Sequence, residues 1–260
     1  MGLSSVYSQI GPNLSLEGSL LFTGISTENT WSHYSFNKKP TLGSKFAIEF
    51  GYNFTNEWGI YTGFGFMNLG QNYKREPIIK DYGILILEDS SAWDREVSLD
   101  YFMFPLMFKT IKHGNKVDFI FGGGINLAIL YRANQLVVLN GSDYNSLDGS
   151  GGIILDGIVL NDSNIMVVDG SYQLSTWTDK EVTNRFKSLD IILNLETGLR
   201  FAFWENVYID ILANVGFGLT DINIEERKLP DNGSSHNLYG GLKLRFGLDN
   251  IWDSSRKNKL

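Results

Sequence analysis

The stretch KFAIEFGYNF, 45 to 54, alternates strictly: Phe46, Ile48, Phe50, Tyr52 and Phe54 on one side, Lys45, Ala47, Glu49, Gly51 and Asn53 on the other. A period of two belongs to a β-strand, which sends successive side chains to opposite faces. Eight such runs lie at roughly 14–23, 41–54, 59–71, 97–111, 117–131, 186–203, 207–219 and 237–247. Most hold ten residues or more. A soluble strand averages about 5 to 6 residues, whereas a tilted strand crossing a bilayer needs about 9 to 11. Aromatics at 13%, 28 Gly and only 5 Pro suit strands and tight turns.

The connections alternate in length. TNEWG, KHGNK and WENV are short, while 24–40, 72–96, 132–185 and 220–236 are long. Outer-membrane barrels are built this way, with short periplasmic turns and longer outward loops. The expectation is an all-β, eight-stranded antiparallel transmembrane β-barrel, an up-and-down meander with both termini periplasmic. Trp58 and Trp204 fall in two of the short turns, where their rings are expected to anchor at headgroup level.

Alternation alone does not say which face is wet, because a soluble lipocalin-like ligand-binding barrel also has one apolar and one charged face. Volume decides. The apolar face holds 15 of the 17 Phe together with many Leu, Ile and Val, far more than the interior of an eight-stranded barrel accommodates. The opposite face interleaves Gly with Tyr61, Tyr101, Tyr208 and Tyr239, the small-beside-large filling of a narrow lumen. The expected lumen charges are Glu17, Lys45, Glu49, Lys109, Asp118, Asp190, Glu196, Arg200, Asp210, Lys243 and Arg245. Charges confined there must pair, so they read as a structural network rather than a reactive centre. Arg200 is expected to gather Glu196 and Asp210, and Lys243, Arg245, Glu17 and Glu49 to meet across the seam between the first and last strands. Such a filled lumen leaves no aqueous channel.

A net charge of −7 and a pI near 5.0 exclude nucleic acid as the main partner. Zero Cys excludes thiolate metal sites, and no run of 18 apolar residues exists to form a transmembrane helix. No G-x-S-x-G, zinc-ligand or phosphate-loop motif is present, so no catalytic residue, cofactor or metal is assigned. DYNSLDGSGG, with Asp143, Asn145 and Asp148, misses the calcium-loop spacing by one residue and reads as turns. The alternative of a barrel-mouth enzyme rests on His33, His236, Asp221 and Asp231, which no spacing brings together.

LDYFMFPLMFKTI, 99 to 111, resembles the L-x-Y-L-x-I-P-L-L-x-K-Y strand of the PorT-like outer-membrane β-barrel family. VDFIFGGGINLAIL and NLETGLRFAFWENVYIDILANVGFGLTDI resemble its following strands, and the similarity extends from about 12 to 247. Met103 departs from the family, which often has an inward Glu there. The resemblance implies an integral outer-membrane protein of a family mostly without assigned activity, some relatives serving secretion or assembly machineries, and it does not imply an enzyme. The segments are then 1–11, an N-terminal periplasmic segment with no charged n-region; 12–247, the barrel; and 248–260, a periplasmic tail. The lipid bilayer is the first partner. Protein partners are expected at loop 132–185, whose apolar bursts read as hairpins above the membrane, or at the tail, which turns basic after Trp252.

Overall fold

Eight long strands follow the eight alternating runs in a computed structural model of the chain. The structure describes residues 10–29, 37–76, 92–140, 186–204, 206–223 and 232–249, with short pieces at 79–80, 83–84, 153–155, 158–160, 165–168 and 171–174 and Thr183. The strands are β1 (Gly11–Asn29), β2 (Thr41–Asn53), β3 (Trp58–Glu76), β4 (Ala92–Lys112), β5 (Asp118–Asn140), β6 (Leu189–Trp204), β7 (Val207–Gly218) and β8 (Asn232–Asp249). Each pairs antiparallel with its sequence neighbours, and β8 pairs with β1, so the sheet closes. Closure leaves no edge of the barrel wall unpaired, which hydrocarbon demands.

The register fixes the shape. Stepping across the ladders from Asn13 leads through Gly51, Tyr61, Met107, Gly124, Asn194, Gly216 and Tyr239 back to β1 at Thr23, ten residues beyond the start. With strands about 4.8 Å apart and about 3.3 Å per residue, that stagger tilts the strands by about 40°. Each residue then climbs about 2.5 Å along the axis.

The outer wall is apolar over one band. On β5 the exposed series runs Phe119, Phe121, Leu127, Ile129, Tyr131, a climb of about 30 Å, the thickness of a bilayer's hydrocarbon. Phe22, Phe46, Phe64, Phe66, Phe104 and Leu242 carry the band round the ring, all about half exposed or more except Phe104 at 44%. Two hydroxyls inside it donate to wall carbonyls, Thr62 to Pro105 at 3.0 Å and Thr197 to Ile120 at 3.1 Å, so neither meets lipid with an unused donor. A soluble barrel inverts this arrangement, and that alternative is excluded: the chain is a membrane-spanning barrel.

Several strands continue past the limits expected from alternation, chiefly at the long-connection end: β1 to Asn29, β3 to Glu76, β5 to Asn140, with β4 from Ala92 and β8 from Asn232. There the faces exchange character. Outward positions turn polar, as at Glu96 and Ser98, while Ile25, Leu69, Val97, Leu99, Leu130 and Ile222 point inward and form an apolar plug that Leu21 continues down into the barrel. Above the bilayer the outside is water, so the hydrophobic effect fills the inside. A short strand, Asn37–Lys39, adds to β3, and a hairpin of Ile165–Val168 and Ser171–Leu174 adds to β5.

At the opposite end the connections are tight. Thr55 accepts the N–H groups of Glu57 and Trp58 through its hydroxyl at 3.2 and 2.9 Å. Trp58 is exposed and stacks on Phe108 with centroids 5.0 Å apart, and Trp204 is exposed beside a bulge that ends the β6–β7 ladder. Both rings thus sit at the short-turn rim.

Candidate functional site

All eleven charged residues expected in the lumen are buried, each at most 8% exposed, and nine of them, Glu17, Lys45, Glu49, Lys109, Glu196, Arg200, Asp210, Lys243 and Arg245, meet in one network, while Asp118 and Asp190 bond elsewhere. Alternation aims them inward, and the ten-residue stagger sets which of them meet. Nearest the short turns, Arg200 forks onto Asp210 at 2.9 and 3.2 Å, reaches Asp249 at 3.5 Å, and lies over the Tyr208 ring at 3.5 Å. Arg245 takes the same Asp210 at 2.7 Å through Nε and extends to Glu49 and Glu196, both at 3.2 Å. Lys109 lies between Glu49 at 2.5 Å and Glu196 at 3.2 Å, above the Tyr61 ring at 4.3 Å. Lys243 bridges Glu17 at 2.7 Å and Glu196 at 2.6 Å, and Lys45 completes Glu17 at 2.9 Å.

Five points differ from the sequence expectation. Arg200 gathers Asp210 and Asp249 rather than Glu196; Glu196 instead faces Lys109, Lys243 and Arg245. The two expected clusters are one connected network. Asp118 bonds at the turn, accepting from Gly114 N–H at 3.2 Å and facing His113 Nδ1 at 3.2 Å, rather than joining the lumen cations. Asp190 accepts from Thr220 at 2.5 Å and Asn237 at 2.8 Å. Asp249, assigned to the tail, belongs to β8 and enters the network, as the alternation Lys243, Arg245, Gly247, Asp249 allowed. With it the network balances, Glu17, Glu49, Glu196, Asp210 and Asp249 against Lys45, Lys109, Arg200, Lys243 and Arg245.

Above the ion-pair network lies a polar layer beside Asp190 in which Tyr101 and Tyr239 were expected in the lumen and Asn126, Asn194 and Asn237 were not singled out. Tyr239 donates to Asn194 at 3.1 Å and accepts from Asn126 at 3.0 Å, and Asn237 donates to the Tyr101 hydroxyl at 3.0 Å. Met103, where a carboxylate was a family expectation, is fully buried in the apolar plug. Room for the tyrosines comes from glycine opposite. A Cβ at Gly216 would overlap the Tyr239 ring, and one at Gly247 the Tyr208 ring. Because its hydroxyl is tied to Asn194 and Asn126, Tyr239 has no cheap retreat. Gly216→Ala is therefore expected to lower barrel stability by about 1–3 kcal/mol, read as the urea midpoint in liposomes.

The arrangement holds charge without exposing it. Among the described residues, no group of three or more His, Asp or Glu is placed to hold a metal ion. Of the barrel-mouth residues, His236 stacks on Phe217 at 5.6 Å and Asp221 accepts the backbone N–H groups of Asn223 and Ser235 at 3.1 and 3.0 Å. His33, Asp231, Asp143, Asn145 and Asp148, the segment 1–9 and the tail from 250 lie outside the described residues.

No family model and no curated protein matches this chain. Solved structures similar to it include the outer membrane protein OprG from Pseudomonas aeruginosa, at 11% identity, covering 93% of this chain and 98% of that one, TM-score 0.42. Neisserial surface protein A is similar at 11% identity over 89% and 95%, TM-score 0.38. The attachment invasion locus protein Ail of Yersinia pestis, crystallised with the heparin analogue sucrose octasulfate, is similar at 11% over 92% and 99%, TM-score 0.34.

Proposed function

We propose that this chain is a non-enzymatic, non-conducting barrel of the bacterial outer membrane that offers its long-connection end to a protein partner. The observation that carries the reading is the contrast between the two halves of the molecule. The lumen is filled by a balanced ion-pair network and an apolar plug. β4 and β5, at 21 and 23 residues, run far past the apolar band, and β5 receives an added hairpin at Val138–Asn140. Strand edges and extended sheet outside a bilayer bind other chains by adding strands or offering patches. The short turns and both termini then face the periplasm, with loop 132–185 outside and the tail 248–260 a second contact. The ordered strand motifs resembling PorT-like barrels support a place as a subunit of a secretion or assembly machinery.

Two measurements test this. In planar bilayers the purified barrel is expected to give no steady current, and regular conductance steps would defeat the plugged lumen. A photo-crosslinking residue at Tyr172, set against one in the short turn at Lys116, is expected to trap one defined protein from living cells. No adduct at Tyr172, together with a normal phenotype after replacing 141–182 by a short turn, would remove the interaction role.

A further inference from the structure

Within the outer wall, one outward-facing carboxylate interrupts the apolar face. Along β4 the exposed positions Phe108, Leu106, Phe104 and Phe102 are followed by Asp100, and the β3–β4 register there is unbroken, so Asp100 faces outward beside Asn68. Yet Asp100 is only 6% exposed. Asn68 donates to one of its oxygens at 2.6 Å, and Arg132 Nε donates to the other at 2.7 Å. Arg132 reaches it because β5 carries one extra residue: Asp100 pairs with Arg132 but Tyr101 with Leu130, leaving Tyr131 as a bulge. The bulge turns Tyr131 and Arg132 outward together, and re-aiming side chains is what bulges do.

The geometry points to a binding site for the phosphate of a membrane lipid, in the leaflet on the long-connection side. Arg132 spends one edge on Asp100, and its two terminal nitrogens make no protein bond among the described residues while the side chain stays 57% exposed. A guanidinium held by one edge presents a planar pair of donors matched to a phosphate. It lies at the upper limit of the apolar band, where headgroups reside. Directly below, Phe66, Phe102 and Tyr131 form a continuous aromatic run, with centroids 5.2 and 4.6 Å apart, against which an acyl chain packs. Asp100 does not compete for the cation's free edge, since both of its oxygens are already engaged.

The inference rests on the lipid-facing reading of the outer wall. The test uses the full folded chain in neutral detergent, with native mass spectrometry counting retained phosphatidic acid against phosphatidylcholine. The wild type is expected to keep one phosphatidic acid in preference. Arg132→Ala is expected to lose that preference by about tenfold or more, Arg132→Lys to keep part of it, and Lys112→Ala at the opposite rim to keep all of it. Unheated gel mobility verifies that each variant is folded. Equal retention by Arg132→Ala overturns the site, and displacement of the lipid by inorganic phosphate reassigns it to a free anion and overturns the lipid as occupant. Failure of the wall reading itself shows differently, as a wild type that stays soluble without detergent.

Discussion

Glu196→Gln is expected to lower the unfolding free energy of the barrel by about 3–5 kcal/mol, the cost of removing one partner from a buried ion pair. Among the described residues, Glu196 is the only carboxylate facing three lumen cations, Lys109 at 3.2 Å, Lys243 at 2.6 Å and Arg245 at 3.2 Å. The amide keeps the shape and removes the charge, leaving five cations to four carboxylates in a space that water does not reach. Part of the loss is recoverable. Lys243→Met in the same chain restores the balance, but Lys243 also holds Glu17 at 2.7 Å, which then relies on Lys45 alone among the network cations. The check is urea unfolding in liposomes, followed by the gel shift between heated and unheated samples. A single variant as stable as the wild type, or a double variant weaker than the single one, contradicts the network as drawn.

Leu242→Arg is expected to cost about 2–4 kcal/mol in a bilayer, and Tyr52→Arg about 0–1. Leu242 is 68% exposed and pairs with Leu20, itself 60% exposed, near mid-height of the apolar band. Tyr52 lies at the short-turn rim, one pair from the end of the β1–β2 ladder. Both residues are about half exposed or more, so neither substitution removes core packing. The difference between them measures depth in hydrocarbon and nothing else. In water an exposed leucine exchanged for arginine is close to neutral. Equal costs at the two positions contradict the bilayer reading.

Much of the fold was legible from alternation because strand periodicity reports faces directly. Parity assigned Glu49 and Lys109 to the inside and Phe46 and Phe50 to the outside, and the lengths of the connections separated the two ends. Parity does not report register. Arg200 and Glu196 share β6 and the same face, so they looked like partners, yet the stagger carries Asp210 and Asp249 across to Arg200 and leaves Glu196 to cations from β4 and β8. The bulge at Tyr131 is equally silent in the sequence, since one extra residue changes parity without changing composition. The upper lumen was missed for another reason. There, inward positions are apolar and outward ones polar, so apolar character no longer marks the lipid side, although parity counted from Phe102 and Leu127 still places Leu99 and Leu130 inside.

The seam where the chain closes has a consequence for how the protein matures. Glu17 lies on the first strand and Lys243, 226 residues later, on the last, and Arg245 beside it supplies both Glu49 and Asp210. Until β8 arrives, Glu17 has Lys45, but Glu49, Glu196 and Asp210 each lack a cation that only the final strand carries. An incomplete ring therefore holds surplus negative charge that a bilayer does not tolerate. Insertion is thereby coupled to completeness: a chain truncated before β8, Asn232–Asp249, is expected to insert poorly, seen as loss of the gel shift between heated and unheated samples.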